Sequence, residues 1–403
     1  MNKDEQLSDL SGKFSNIKVT TAKKQQKKGA SEAGAAEDNQ LPRQSTNRQS
    51  TNRQSTSPYS TALVRHVTNA HRDDIHGMIS IHDRIITGSK DTSVRMWSHT
   101  GDLQKTLLQH PHTTATSYSY KHWITALHSF SDGTIMVGSR NGFITCRDIY
   151  SNRTYYSGIL ENKWNNLKQN NLKHAAYKQR NEPRITSIMC QEGDEYLALI
   201  GMPEKFIQLD LDNQKIRRVF QFDSPDWVYG FSQLTLQKIA VIHACTLSVL
   251  QELNTDLPEN GWEKVGTLVR EGKRFNGQRP FISDINRFEE NHAQLALAFF
   301  GGITRVIDVE QGGKVLHEGR EHQQRVWKTL PMDASSYISC ADDGLIKVWD
   351  VRQATSVHTY TGHTDRVSAL ALLSNNMFVA GSCPKDPFDD PDKGQLFFYD
   401  RRL

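Results

Sequence analysis

The feature that most constrains this chain is a short unit that recurs along it. Between Ile338 and Asp350 a strand-forming stretch enters a tight turn at Asp343-Gly344, leaves through alternating Ile346 and Val348, and ends on Trp349-Asp350. The frame returns from Thr87 through Asp91 to Val94, Met96 and Trp97, and again from Gly138 through Asn141-Gly142 to Ile144, Cys146 and Arg147. In all three the turn Asp or Asn stands six residues before the Trp or its replacement. A turn of this kind between alternating apolar runs is a strong hairpin signal. Fainter copies run from Gly201 to Asp210, from His243 to Leu250 and from Ala298 to Asp308. Another begins at Gly381-Ser382, breaks off, and resumes from Leu396 to Asp400. Such a unit cannot bury its apolar face alone, so neighbouring copies must stack.

The first sixty residues have another texture. They carry a lysine cluster from Lys23 to Lys28, a small-residue run from Gly29 to Ala36, and Arg-Gln-Ser-Thr repeats beginning at Arg43, Arg48 and Arg53. A stretch with so few apolar groups cannot offset its ordering entropy, so a disordered basic low-complexity tail is expected over 1–60, with a folded domain over 61–403. The tail holds ten Lys/Arg against six acids, which is the whole formal net charge of +4. The remainder is therefore balanced, which argues against a duplex-binding surface and so against nucleic acid as the main partner. No apolar run reaches the length of a membrane span, and the N-terminus has no apolar secretory core. The five cysteines are scattered, with no pair at metal-site spacing. These features predict a soluble protein of a reducing compartment, cytoplasmic or nuclear, with no membrane partner.

Each strong unit is preceded by a histidine signal: Ala70-His71, Glu321-His322 and Gly362-His363. With the Trp-Asp endings, these motifs resemble the WD-repeat family over about residues 61–403. The resemblance implies an all-β, seven-bladed WD-repeat β-propeller. Taking 97, 147, 210, 250, 307, 349 and 399 as Trp-equivalent positions, the spacing is about 50 residues, slightly above one blade because loops are inserted. It also implies a hydrogen-bond network across single blades, joining His71, Asp91 and Trp97, and again His322, Asp343 and Trp349. Blade seven keeps His363 and substitutes Tyr399, while the degenerate middle blades are left to rely on packing. The family closes its ring with an outer strand from the N-terminal end of the domain, which places that strand at about 61–67.

No catalytic motif emerges: there is no nucleophile elbow, phosphate loop or dinucleotide fingerprint. His110, His112, His122 and His128 read as loop residues lacking an acid at ligand spacing. Gly301-Gly302 reads as a turn needing φ > 0. The acidic run from Asp386 to Asp392 lacks the spacing of a calcium loop. The expectation is a non-enzymatic protein with no cofactor and no metal, monomeric within a larger complex.

In the resembling family one face, the top, carries the connections between blades and the turns between the second and third strands. Four oversized segments fall there: Gln109–Trp123 with Tyr118 and Tyr120, Glu161–Glu182 with Trp164, Arg270–Phe281 with Arg270, Arg274 and Arg279, and Pro384–Lys393. Long loops on a rigid scaffold usually carry binding, and aromatic and Arg residues dominate interfaces. The leading reading is a scaffold or adaptor that binds other proteins through this face. A second reading rests on Trp349-Asp350-Val351-Arg352 and Tyr399-Asp400-Arg401-Arg402. These endings resemble WD-repeat substrate receptors of cullin–RING ubiquitin ligases, and imply that Arg352 and Arg402 dock a ligase adaptor. A third reading uses the basic tail to associate with nucleic acid.

Overall fold

The computed structural model describes residues 62–110, 122–160, 184–224, 226–254, 261–272, 277, 279–374, 376–383 and 394–402. After β1 (Leu63–Val67), blade 1 comprises β2 (Ile75–Ile81), β3 (Arg84–Ser89), β4 (Ser93–Trp97) and β5 (Leu103–Gln109). Blade 2 comprises β6 (Ile124–Ser129), β7 (Thr134–Ser139), β8 (Phe143–Asp148) and β9 (Thr154–Ile159). Blade 3 is β10 (Ser187–Gln191), β11 (Asp194–Met202), β12 (Lys205–Asp210) and β13 (Lys215–Gln221). Blade 4 is β14 (Val228–Thr235), β15 (Lys238–His243), β16 (Thr246–Glu252) and β17 (Trp262–Arg270). Blade 5 holds β18 (Ile282–Arg287), β19 (Gln294–Phe299), β20 (Thr304–Asp308) and β21 (Lys314–Gly319). Blade 6 holds β22 (Val326–Pro331), β23 (Ser336–Ala341), β24 (Ile346–Asp350) and β25 (His358–Tyr360). Blade 7 has β26 (Arg366–Leu372), β27 (Met377–Cys383) and β28 (Gln395–Asp400), and takes its outer strand from β1.

Among the described residues every sheet is antiparallel and four-stranded, and there are seven. The inner strands touch in the order β2, β6, β10, β14, β18, β22, β26 and return to β2, so the blades form a closed ring. In the last blade Leu63 stands opposite Tyr399 and Val67 opposite Leu396, and the Asp400 amide donates to the Ala62 carbonyl at 3.0 Å. Among the described residues no helix is long and apolar enough to cross a membrane.

Each blade is covered on both faces, so its second strand is largely buried; every residue of β7 is buried, Thr134 and Ser139 included. Each pair of adjacent blades holds an apolar cluster between them, from Ile86, Val94 and Ile135 between blades 1 and 2 to Val379, Phe398 and Trp97 between blades 7 and 1. Hydroxyl groups at the start of the inner strands add polar stitches. Thr125 donates to the Ile185 carbonyl at 2.5 Å, Ser283 to that of Val326 at 2.6 Å, and Ser368 to that of Ile75 at 2.6 Å. Thr186 does the same to Val228. Each stitch reaches from one blade to the next, so it reinforces the ring rather than the single sheet.

The structure corrects two readings of the middle blades. In blade 3 the bulge that precedes Trp97 in β4 falls between Gln208 and Leu209, so buried Leu209, not Asp210, fills the tryptophan place. Asp210 instead ends the strand as Asp350 does, and its carboxylate accepts the Asn213 amide at 2.8 Å, as Asp350 accepts that of Arg352 at 2.9 Å. Packing is also not all that holds these blades. Between blades 3 and 4, Gln191, Gln208 and Arg218 converge on Glu252, with Gln191 donating to it at 2.8 Å. In blade 5, Arg305 reaches both Glu271 and Glu318. A buried charge left alone is costly, whereas a satisfied network tolerates burial.

Candidate partner-binding face

The two strong repeats build the same polar chain. In blade 1 the Trp97 indole N–H donates to Thr87 Oγ1 at 2.9 Å, His71 Nε2 lies 2.6 Å from that oxygen, and His71 Nδ1 lies 3.0 Å from Asp91 Oδ2. An indole N–H can only donate, so the threonine hydrogen is free for Nε2 and the ring keeps its hydrogen on Nδ1 for the carboxylate. Asp91 further accepts the amides of Arg72 and Ser93 at 3.0 and 2.9 Å. Blade 6 repeats it with Ser339 as the bridge: Trp349 to Ser339 at 2.8 Å, Ser339 to His322 at 2.8 Å, and His322 to Asp343 at 2.9 Å. The bridging hydroxyls escaped the sequence reading, although both stand ten residues before their tryptophan.

These chains explain the ionisation of their members. Burial is the largest influence on Asp91 and raises its pKa, but the His71 bonds, Ser93 and the Arg72 amide outweigh it and hold the carboxyl well below the usual range. Asp343 is lowered in the same way. Burial lowers His71 more than Asp91 raises it, so the ring stays neutral.

Weaker blades substitute other groups. His363 Nε2 meets the Tyr399 hydroxyl directly at 2.7 Å, because Ala380 occupies the place of the bridging hydroxyl. In blade 2, His122 is not a free loop residue: its Nδ1 lies 3.2 Å from Asn141 Nδ2, and Asn141 Oδ1 accepts from Ser139 at 2.6 Å. Arg147 turns instead to the Leu107 carbonyl of blade 1. Asp343→Ala is therefore expected to cost about 1–3 kcal/mol, since it strands His322 and the Gln323 and Leu345 amides. Asn141→Ala should cost less, because no indole depends on it. Urea melts of both variants check this, and equal losses would show that blade 2 is networked as strongly as blade 6.

The top mouth of the ring carries a chain of aromatic rings supplied by three blades. Trp227 and Tyr229 open blade 4, Phe281 precedes β18, Phe300 lies in the next turn, and Trp327 stands on β22. Their centroids follow one another at 6.1 Å from Trp227 to Tyr229, 5.8 Å from Tyr229 to Phe300, 5.8 Å from Phe281 to Phe300, and 5.7 Å from Phe300 to Trp327. Guanidinium groups cover these rings. Arg184 lies 4.8 Å from Trp227, Arg279 lies 5.9 Å from Phe281, and Arg325 lies 4.1 Å from Phe300 and 5.0 Å from Trp327. Asp342 accepts the Trp327 indole N–H at 2.6 Å, which fixes that ring. Burial raises the Tyr229 phenol, while Arg184 and Arg325 act to lower it. Across the mouth, Trp123 sits between Lys90 at 4.8 Å and Arg140 at 5.0 Å, and Asp74 pairs with Lys90 and Arg366. In the turn beside Phe300 it is Gly302, not Gly301, that takes the left-handed conformation, at φ 83°, and a side chain there would also strike the His322 carbonyl.

The structure places the expected binding residues unevenly. Arg270 ends β17, and Arg279 joins the aromatic shelf through Phe281. Tyr118, Tyr120, Trp164 and Arg274, with the acidic run 384–393, lie outside the described residues. On the opposite face Arg352 and Arg402 are 74% and 68% exposed, and each forks back onto the aspartate two residues before it. Arg352 meets Asp350 at 2.8 and 2.6 Å, and Arg402 meets Asp400 at 3.0 and 2.7 Å. The Arg352 bond is the largest reason that Asp350 titrates as low as about 2, and Arg402 does the same for Asp400. No group of His, Cys, Asp and Glu among the described residues is arranged to hold a metal ion.

Known proteins match this geometry. The repeat family described as "WD domain, G-beta repeat" matches residues 63–98, 313–350 and 354–386. WD repeat-containing protein 55 of Arabidopsis thaliana is 31% identical over 91 residues, which is 23% of this chain and 26% of that protein. The aligned stretch thus spans about a quarter of that relative's length. Among solved structures, the WD40 β-propeller domain of Doa1 superposes with a TM-score of 0.60 at 12% identity, over 84% of this chain and 96% of that one. Seven four-stranded blades, a closed ring of inner strands and the His–Asp–Trp chains of blades 1 and 6 together make this chain a WD-repeat β-propeller.

Proposed function

We infer that the protein is a non-catalytic scaffold that binds partner proteins through the top mouth of its propeller. The observation that carries this reading is the continuous aromatic shelf of Trp227, Tyr229, Phe281, Phe300 and Trp327 under Arg184, Arg279 and Arg325. Interface energy concentrates in aromatic and arginine anchors, and a rigid ring holds them at little entropic cost on binding. The rings come from three blades and converge on one mouth while staying partly exposed, which supports a surface role.

Quantitative co-precipitation tests it. The double variant Arg279→Ala, Arg325→Ala should lose its partners by about tenfold or more, the effect of removing one or two anchors. Arg352→Ala with Arg402→Ala, on the other face, should keep them. A top-face variant that retains every partner would sink the reading. The same experiment addresses the ligase reading, favoured only by the matching forks at Arg352 and Arg402. Selective loss of a cullin–RING adaptor from the second variant would establish it.

A further inference from the structure

The geometry points to an acidic segment of a partner protein as the occupant of the shelf, an inference that rests on the scaffold reading above. An aromatic surface can attract cations through its ring faces. Here those faces are already taken. Arg325 lies over both Phe300 and Trp327, Arg184 over Trp227, and Arg279 beside Phe281. A second cation would meet the like charge of three guanidinium groups, whereas an anion would meet opposite charge.

Local compensation is also missing where it would count. Among the described residues neither Arg279 nor Arg325 forms an ion pair, and the Arg325 Nε is buried without a hydrogen-bond acceptor. The nearby carboxylates bond to neutral donors and form no ion pair with these two arginines: Asp342 accepts the Trp327 indole, and Asp226 accepts from Ser224 at 3.2 Å. Elsewhere in the ring more deeply buried arginines do find carboxylates, as Arg218 finds Glu252 and Arg305 finds Glu271 and Glu318. A guanidinium desolvated against aromatic rings and left without an anion is poised to take one from a ligand. The rings beneath supply contact for apolar side chains placed between the acidic ones. The occupant is thus a segment in which Asp or Glu alternates with apolar residues.

Fluorescence anisotropy with the full chain tests this directly. Three labelled peptides of roughly twelve residues serve as probes, with leucine alternating with Glu, with Gln or with Lys. The Glu peptide should bind about tenfold or more tighter than either counterpart, and the preference should fade between about 50 and about 500 mM salt. Arg325→Gln should weaken it about fivefold or more, while Arg352→Gln leaves it unchanged. Arg279→Gln, at an exposed position, provides the same test should Arg325→Gln melt early. Equal binding of the Glu and Gln peptides, tighter binding of the Lys peptide, binding of none, or indifference to both arginine variants overturns the inference. The co-precipitation above separates the two failures: partners lost from the top-face variant without a Glu preference would leave the face correct and its chemistry wrong.

Discussion

A chain that starts at Asn69 is expected to be insoluble or molten, whereas one that starts at Ser60 melts like the full-length protein. The first removes β1 but keeps Ala70 and His71, so the blade-1 network is spared and only the closing strand is tested. Without β1, β28 loses its partners at Leu63, Arg65, His66 and Val67. Ala62, Leu63 and Val67 also leave the clusters around Tyr399, Phe397 and Phe398, and the His66 ring leaves its stack 4.2 Å from Phe397. Each backbone bond contributes about 1 kcal/mol net, and the apolar contacts add about 25 cal/mol per Å². The total is comparable with the roughly 5–15 kcal/mol that a domain holds in all. An open ring also bares a β-strand edge, which invites aggregation. A soluble, cooperatively melting Asn69 variant would show that six complete blades suffice.

Acid should unfold the propeller well above the pH at which its carboxylates protonate. Burial is the largest cause lowering His76 to about 3, and His128 and His363 to about 4. Geometry agrees for His128, whose Nε2 accepts the Cys190 amide at 3.1 Å and so cannot carry a proton there. In the unfolded chain these rings titrate near ~6.5. Below that pH the unfolded state binds protons that the folded state refuses, so stability falls from about pH 6.5 down to about 4. Each ring costs up to about 1.4 kcal/mol per pH unit. Asp91 and Asp343 act later, since their folded values are depressed. Their contribution is intact above ~3.9 and is lost only as pH falls further. Urea midpoints measured from pH 7.5 to 4 should therefore drop steeply through pH 6 to 5, and His128→Gln should flatten the slope. A midpoint constant across that window would mean the rings are protonated in the native ring.

How much of this was legible in the chain depends on distance along it. The turn Asp, the Trp six residues later and the alternating residues between them lie within one hairpin, so local spacing pairs Asp91 with Trp97 and Asp343 with Trp349, while the resemblance to the repeat family adds His71 and His322 from about twenty residues upstream. The same logic reaches the bridging Thr87 and Ser339 once the ten-residue interval is noticed. It fails in blade 3, where Gly201 pairs with Phe206 while the corresponding Gly88 pairs with Val94, so the turn is one residue shorter and Leu209 arrives at the tryptophan place; that pairing is set by cross-strand geometry that a single strand does not display. It fails too for His122, whose partner Asn141 was visible but whose loop position suggested solvent.

The sequence by itself determined the blade: short strands, tight turns, a repeat near fifty residues, and hence a ring of stacked sheets rather than one sheet. Only the tertiary structure decided what the ring brings together. Arg184 and Trp227, or Phe281 and Trp327, stand more than forty residues apart and belong to different blades, yet radial stacking sets their side chains around one mouth. Neither their spacing nor their immediate neighbours mark them. Likewise Gln208, Arg218 and Glu252 look like surface residues in sequence, and become a buried network because blade 3 packs on blade 4. Within a blade, hydrogen bonding along the chain fixes register; between blades, ring closure alone fixes which faces meet.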